Sequence, residues 1–186
     1  MGRCFLGSKP VKRDNRVKEW IESNDISTDT NFITTGTVLG GTVKTAKAKL
    51  TPEGGIAILL TNKTGGVSVK GEVVTPSSST SNAVAKIIVD VPDPIGAFYD
   101  SGIADGAEAW IVVSGIADIY FVGNTTRGHI ARGFLTADGA SYVTGQALSE
   151  SVPTSPFASD KHFYEIGHVL ESRTGAGLAK CVLHFN

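Results

Sequence analysis

The chain has 186 residues, 41% of them hydrophobic, with 17 Lys and Arg against 18 Asp and Glu. That length suits one compact domain with room for an appendage, and the apolar fraction is ample for a core. A formal net charge of −1 gives no global field to steer nucleic acid or an anionic membrane toward it, and no apolar run approaches the ~20 residues that span a bilayer.

Residues 1–30 differ from the rest. Arg3, Lys9, Lys12, Arg13, Arg16 and Lys18 stand against Asp14 and Glu19, so the first twenty residues carry +4. Val17, Trp20 and Ile21 fall at i, i+3 and i+4, with Asp14 as N-cap and Ser23-Asn24 as a stop. This spacing predicts a short amphipathic helix over 14–23, too short to hold alone. Cys4-Phe5-Leu6 is too brief for a secretory apolar core, and Leu6 stands where an N-myristoylation motif wants Ser or Thr.

From Phe32 the pattern becomes β. Ile56–Thr61 is a buried-strand run, Gly66–Lys70 alternates, and Ala83–Val91 is β-branched and long enough for a full strand. Glu108–Val113 and Ile116–Val122 flank Ser114-Gly115, which reads as a tight turn. At the C-terminal end Ala179, Cys181, Leu183 and Phe185 alternate with Lys180 and His184, a half-buried strand. The 22 glycines suit short strands and tight turns.

One passage occurs twice. Ile95–Val113 and Ile166–His184 align without a gap at a displacement of 71 residues (Ile95 to Ile166), matching Gly96 with Gly167, Asp100 with Glu171, Ser101 with Ser172 and Gly106 with Gly177. Lys70-Gly71 and Arg132-Gly133 extend the match backward at a displacement of 62 (Lys70 to Arg132). The repeated residues are glycines and turn polars, so a structural unit is being reused. The expected fold is all-β: a small β-barrel or sandwich of two similar units, about 66–113 and 128–186, within a domain 31–186 that follows a basic arm 1–30. Two copies do not make a solenoid.

Chemistry-bearing patterns are sparse. His129, His162, His168 and His184 show no HxH, HxxxH or HExxH spacing, so no metal site and no cofactor is expected. There is no GxSxG elbow and no P-loop. Asp90, Asp93, Asp100, Asp105 and Glu108 cluster in sequence, but Asp93 lies between prolines and Asp105-Gly106 is a turn pair. Cys4 and Cys181 read as two free thiols. Asn62-Lys63-Thr64 and Asn124-Thr125-Thr126 match the glycosylation sequon. No catalytic residues are assigned.

The Gly-rich "IG…(D/E)…G…A…V" segments, each preceded by a (K/R)-G turn and strand, resemble the capsid decoration, or cement, proteins of tailed bacteriophages. The resemblance covers about Phe32 to the last residue; residues 1–30 and the loop 149–160 have no counterpart in it. It implies a non-enzymatic virion protein, made in the host cytoplasm and seated on the outer face of the head. It further implies a homo-oligomer, favoured as a trimer, whose partner is the major capsid protein, with neither nucleic acid nor membrane involved. The basic arm (Arg3, Lys9, Lys12, Arg13, Arg16 and Lys18) and Trp20 are the candidate capsid contact. Two other classes stay open. One is a different virion β-module, such as a head-fibre base, a tail component or a carbohydrate-binding unit using Tyr99, Trp110, Tyr120 and Tyr142. The other is a small enzyme.

Overall fold

The structure, a computed structural model, describes residues 37–38, 41–42, 47–91, 93–139, 142–152 and 163–184. The helix expected over 14–23 and the seven arm residues named above lie outside the described residues. The chain divides into two units, Met1–Lys49 and Leu50–Asn186. In the first, β1 (Thr37–Val38) and β2 (Gly41–Thr42) form a minimal antiparallel ladder. The short strand β3 (Ala48–Leu50) straddles the division.

The second unit holds β4 (Gly55–Asn62), β5 (Val73–Pro76), β6 (Ala83–Lys86), β7 (Gly96–Phe98), β8 (Glu108–Phe121), β9 (Ile130–Arg132), β10 (Leu148–Glu150), β11 (Glu165–Val169) and β12 (Gly177–Leu183). No α-helix occurs among the described residues, so the all-β expectation holds. β8 pairs with β7, β7 with β5, β5 with β6, β6 with β4, and β4 returns to β8. This is a closed ring of five strands. A second circuit runs β8, β12, β11, β9, β10. It returns through a parallel bridge between Phe121 and Ala147, just before β10.

β8 belongs to both circuits, which corrects the expected turn at Ser114-Gly115. The strand is continuous over fourteen residues. Gly115 sits opposite Gly55 on β4 and opposite Leu183 on β12. At Gly115 the strand leaves one partner and joins the other, so the residue bends the chain without reversing it.

The core follows from strand alternation. Val74, Val84, Phe98, Ala109 and Ile111 form one buried cluster, drawn from β5, β6, β7 and β8. Their neighbours Val73, Ala97 and Val112 point to the opposite face. They join Ala57 and the second circuit's Ile119, Phe121, Ile166, Val169, Cys181 and Leu183 in the larger cluster. The two circuits therefore share the larger of the two apolar clusters, while the smaller belongs to the five-strand ring alone.

Two other strand expectations change. Gly66–Lys70 is loop, because the polar Ser68 is the buried member of Val67-Ser68-Val69 and the two valines are exposed. The run Ala83–Val91 stops as strand at Lys86. Asp90 takes φ +57° and its carboxylate accepts the Thr136 amide at 2.8 Å.

The duplication is visible in the hydrogen bonds. Gly71 N–H donates to Phe98 O at 2.8 Å, and Gly128 N–H to Val169 O at 2.9 Å. Ser68 donates its hydroxyl to Asp100 O at 2.8 Å, and Thr125 to Glu171 O at 2.7 Å. Lys70 N–H donates to Ser101 Oγ at 2.7 Å, and Arg127 N–H to Ser172 Oγ at 3.0 Å. The later partners are displaced by 71, as in the sequence alignment. The earlier ones are displaced by 57 (Ser68 to Thr125), in place of 62. Lys70-Gly71 thus corresponds to Arg127-Gly128; Arg132-Gly133 is a chance likeness.

Gly96 and Gly167 occupy the same place in the two units, at φ +157° and +156°. A Cβ at Gly96 would lie 2.2 Å from Val112 O, and at Gly167 2.0 Å from Val182 O. Val112 and Val182 are displaced by 70, so the second hairpin is one residue shorter than a gapless alignment requires. At the turn itself Gly175 (φ +78°), displaced by 69 from Gly106 (φ +84°), shares its conformation, whereas Gly177 (φ +140°) does not. Replacing Gly96 or Gly167 by Ala should destabilise the protein by about 2 kcal/mol or more, a fall in Tm of at least ~4 °C. Gly66→Ala and Gly123→Ala, where a Cβ meets nothing within 4 Å, should leave Tm nearly unchanged in the same thermal unfolding experiment.

Candidate functional site

The ionisable cluster with an open side lies where β11 begins and β12 ends. Glu165 and His168 come from β11, and His184 directly follows β12. Glu165 Oε1 lies 3.5 Å from His168 Nε2 and 3.2 Å from His184 Nε2. One ligating atom from each residue falls within 4.8 Å of the other two. The imidazole centroids are 5.0 Å apart. The Glu165 side chain is 3% exposed, against 44% for His168 and 36% for His184, so a buried carboxylate is faced by two solvent-reachable rings.

Local geometry explains the meeting. His168 opposes Val182 across the ladder, so His184 is its diagonal neighbour on the same face. Positions 165 and 168 of a regular strand point to opposite faces. The register against β9 slips between Glu165 and Gly167, and this β-bulge brings the carboxylate round to the imidazoles. A sequence scan for regular ligand spacings cannot see a bulge, and the third ligand comes from another strand.

A cleft of ≈ 170 Å³ opens beside the cluster, lined by Asp93, Pro94, Gly96, Phe163, Glu165 and His184 among others. It is below the ~300 Å³ at which small-molecule pockets begin. Water and a single ion fit it.

The other polar residues of note hold the fold together. Asp118 on β8 receives Lys70 at 2.9 Å and Lys180 on β12 at 3.1 Å. Burial pushes its carboxyl upward, but hydrogen bonds from both lysines outweigh that and hold it below the usual range. Arg132 is almost fully buried. Burial opposes its charge, yet bidentate bonds to Asp138 at 2.7 and 2.8 Å and an ion pair with Glu150 keep it cationic. Cys181 is a free, buried thiol whose pKa burial pushes up to about 12, so it is inert while folded. Asn62 is buried, with its Nδ2 donating to Gly66 O and Ile103 O at 2.9 Å each; that amide is committed to the loop and does not present a glycosylation sequon.

The carboxylates adjacent in sequence serve separate loops. Asp90 bonds Thr136, while Asp105 bonds the Gly65 amide at 2.9 Å and pairs with Lys63 at 3.5 Å. Of the repeat-turn residues, Gly96 and Gly167 receive the close strand contacts described above, and Asp100 and Glu171 offer backbone carbonyls to Ser68 and Thr125. Gly106 and Gly177 occupy different conformations. Among the aromatic residues, Tyr99 and Trp110 pack half-buried against the larger core, and Tyr142 meets Phe134 edge-on at 5.8 Å.

No family model and no curated protein matches the chain. Among solved structures, the N base of the head fibre protein gp8.5 of bacteriophage phi29 is similar, with a TM-score of 0.47 and 8% identity over 69% of this chain and 92% of that one.

The Asp118 arrangement yields a pH test. A carboxyl whose folded pKa is depressed contributes fully above its unfolded value near 3.8, and the contribution is lost as pH falls through the lower folded value. Asp118→Asn should cost about 1 kcal/mol at pH 7. The difference from the parent should shrink below pH 4 in urea unfolding, because acid removes from the parent what the substitution has already removed.

Proposed function

We propose that this chain is a non-enzymatic structural protein of a tailed-bacteriophage virion. In this reading it decorates the outer face of the head as a homotrimer, each copy bound across neighbouring major capsid protein subunits. The observation that carries the reading is the paired circuit itself. Two copies of one glycine-punctuated unit are fused through β8, and their Ser, Thr, Asp and Arg side chains are engaged in tying loops and strands together. Loops tied to strands in this way within the described part of the Leu50–Asn186 unit suit repeated attachment to a symmetric lattice. A modest contact multiplied around a trimer binds tightly because later contacts are effectively intramolecular. Binding only the assembled shell stabilises that shell by mass action.

The arm supplies the contact in this proposal. Its +4 charge complements an acidic capsid surface, and Trp20 is the apolar anchor. Removal of residues 1–20 should lower occupancy on purified heads at least tenfold, measured as mass bound per particle. In electron cryomicroscopy of the native particle, density for the Leu50–Asn186 unit should lie on the outer capsid surface between subunits. Undiminished occupancy would remove the arm from the account. Density on a fibre or tail would replace decoration with a different virion role.

A further inference from the structure

We propose that Glu165, His168 and His184 bind a divalent transition metal ion, zinc by preference, which straps the open end of the β11–β12 hairpin. The inference is independent of the virion reading. Four-coordinate zinc, with ligands at about 2.0–2.2 Å, places neighbouring ligand atoms about 3.3–3.5 Å apart. The Glu165 carboxylate oxygen lies at 3.2 and 3.5 Å from the two imidazole nitrogens. One ligating atom from each of the three residues already lies within 4.8 Å of the other two, so small rotations about χ2 of the imidazoles bring them to a common centre.

A second observation points the same way. His184 Nε2 is enclosed and makes no hydrogen bond of acceptable geometry, although the Glu165 oxygen is near. An enclosed nitrogen without a hydrogen bond, next to a buried carboxylate, is satisfied when a cation lies between them. The donors also choose the ion. Two imidazoles and one carboxylate suit zinc, cobalt or nickel. Calcium needs six to eight oxygens, and magnesium holds its water in an octahedron. Three protein ligands leave a fourth position, which faces solvent and the adjoining cleft and takes a water molecule.

The strap has a structural consequence. Glu165 and His168 flank the bulge at Ile166, and His184 directly follows the strand paired with β11. A metal across these residues closes the ladder at the point where the hairpin's last backbone bond, His184 N–H to Ile166 O, is already long at 3.4 Å.

The test is a titration of the full-length protein with Zn²⁺ alone, read by calorimetry and by thermal unfolding. The parent should bind zinc, and its Tm should rise with it. His168→Ala and His184→Gln should each lose one equivalent or bind at least tenfold more weakly. Ca²⁺ and Mg²⁺ should not compete, and cobalt should give the visible absorption of a four-coordinate site that both variants lack. Since His168 is half-exposed, its variant should unfold at the parent temperature without metal, so lost binding is separable from lost folding. His129→Ala should titrate like the parent. Zinc titrations unchanged in both variants would overturn the proposal, as would a parent that binds no zinc.

Discussion

One bent strand organises the described domain. The first half of β8 completes a closed five-strand ring and its second half opens the other circuit, and Gly115 makes the change of partner possible. There φ is +77°, and a Cβ would lie 2.5 Å from Gly54 O. The backbone of β4 passes too close for any side chain. Without that bend, β8 would run straight along one sheet and the second unit would have no apolar face to close against. The shared interior, in which Val112 of one half and Ile119 of the other belong to one cluster, follows from this geometry.

Duplication adds economy of a physical kind. Each unit solves the same problem, anchoring a polar loop to a short strand, with the same devices. A hydroxyl at Ser68 or Thr125 reaches a carbonyl at Asp100 or Glu171, and a serine hydroxyl at 101 or 172 accepts an amide from the preceding loop. These bonds fix each loop to backbone distant in sequence. The charged residues reinforce this, with Asp118 joining β8 to β12 and to the Lys70 loop, and Arg132 gathering Asp138 and Glu150 around β9.

Much of this was legible in the sequence. The all-β class followed from glycine content and β-branched runs, and the Gly96/Gly167 and Asp100/Glu171 correspondences came from a gapless alignment. The failures have physical causes. Ser114-Gly115 looks like a hairpin turn because glycine allows both reversal and bending, and only the partners decide between them. Val67-Ser68-Val69 looks like a half-buried strand because alternation does not reveal which face is inside; here the hydroxyl has the buried bonding role. The Lys70/Arg132 match failed because a two-residue motif is too short to fix a register that the ladder places five residues earlier. The Glu165, His168 and His184 cluster was invisible because a bulge breaks strand periodicity and the third residue comes from a neighbouring strand.

The central claim is that both circuits are one cooperative body hung on β8. Native-state hydrogen exchange of the full-length protein under increasing denaturant tests it most directly. The account predicts that core amides of β4, β7, β8, β11 and β12 exchange through a common opening, with a free energy equal to that of global unfolding. Exchange of the β11 and β12 amides through a separate opening several kcal/mol lower, with β4 and β7 still protected, would contradict it.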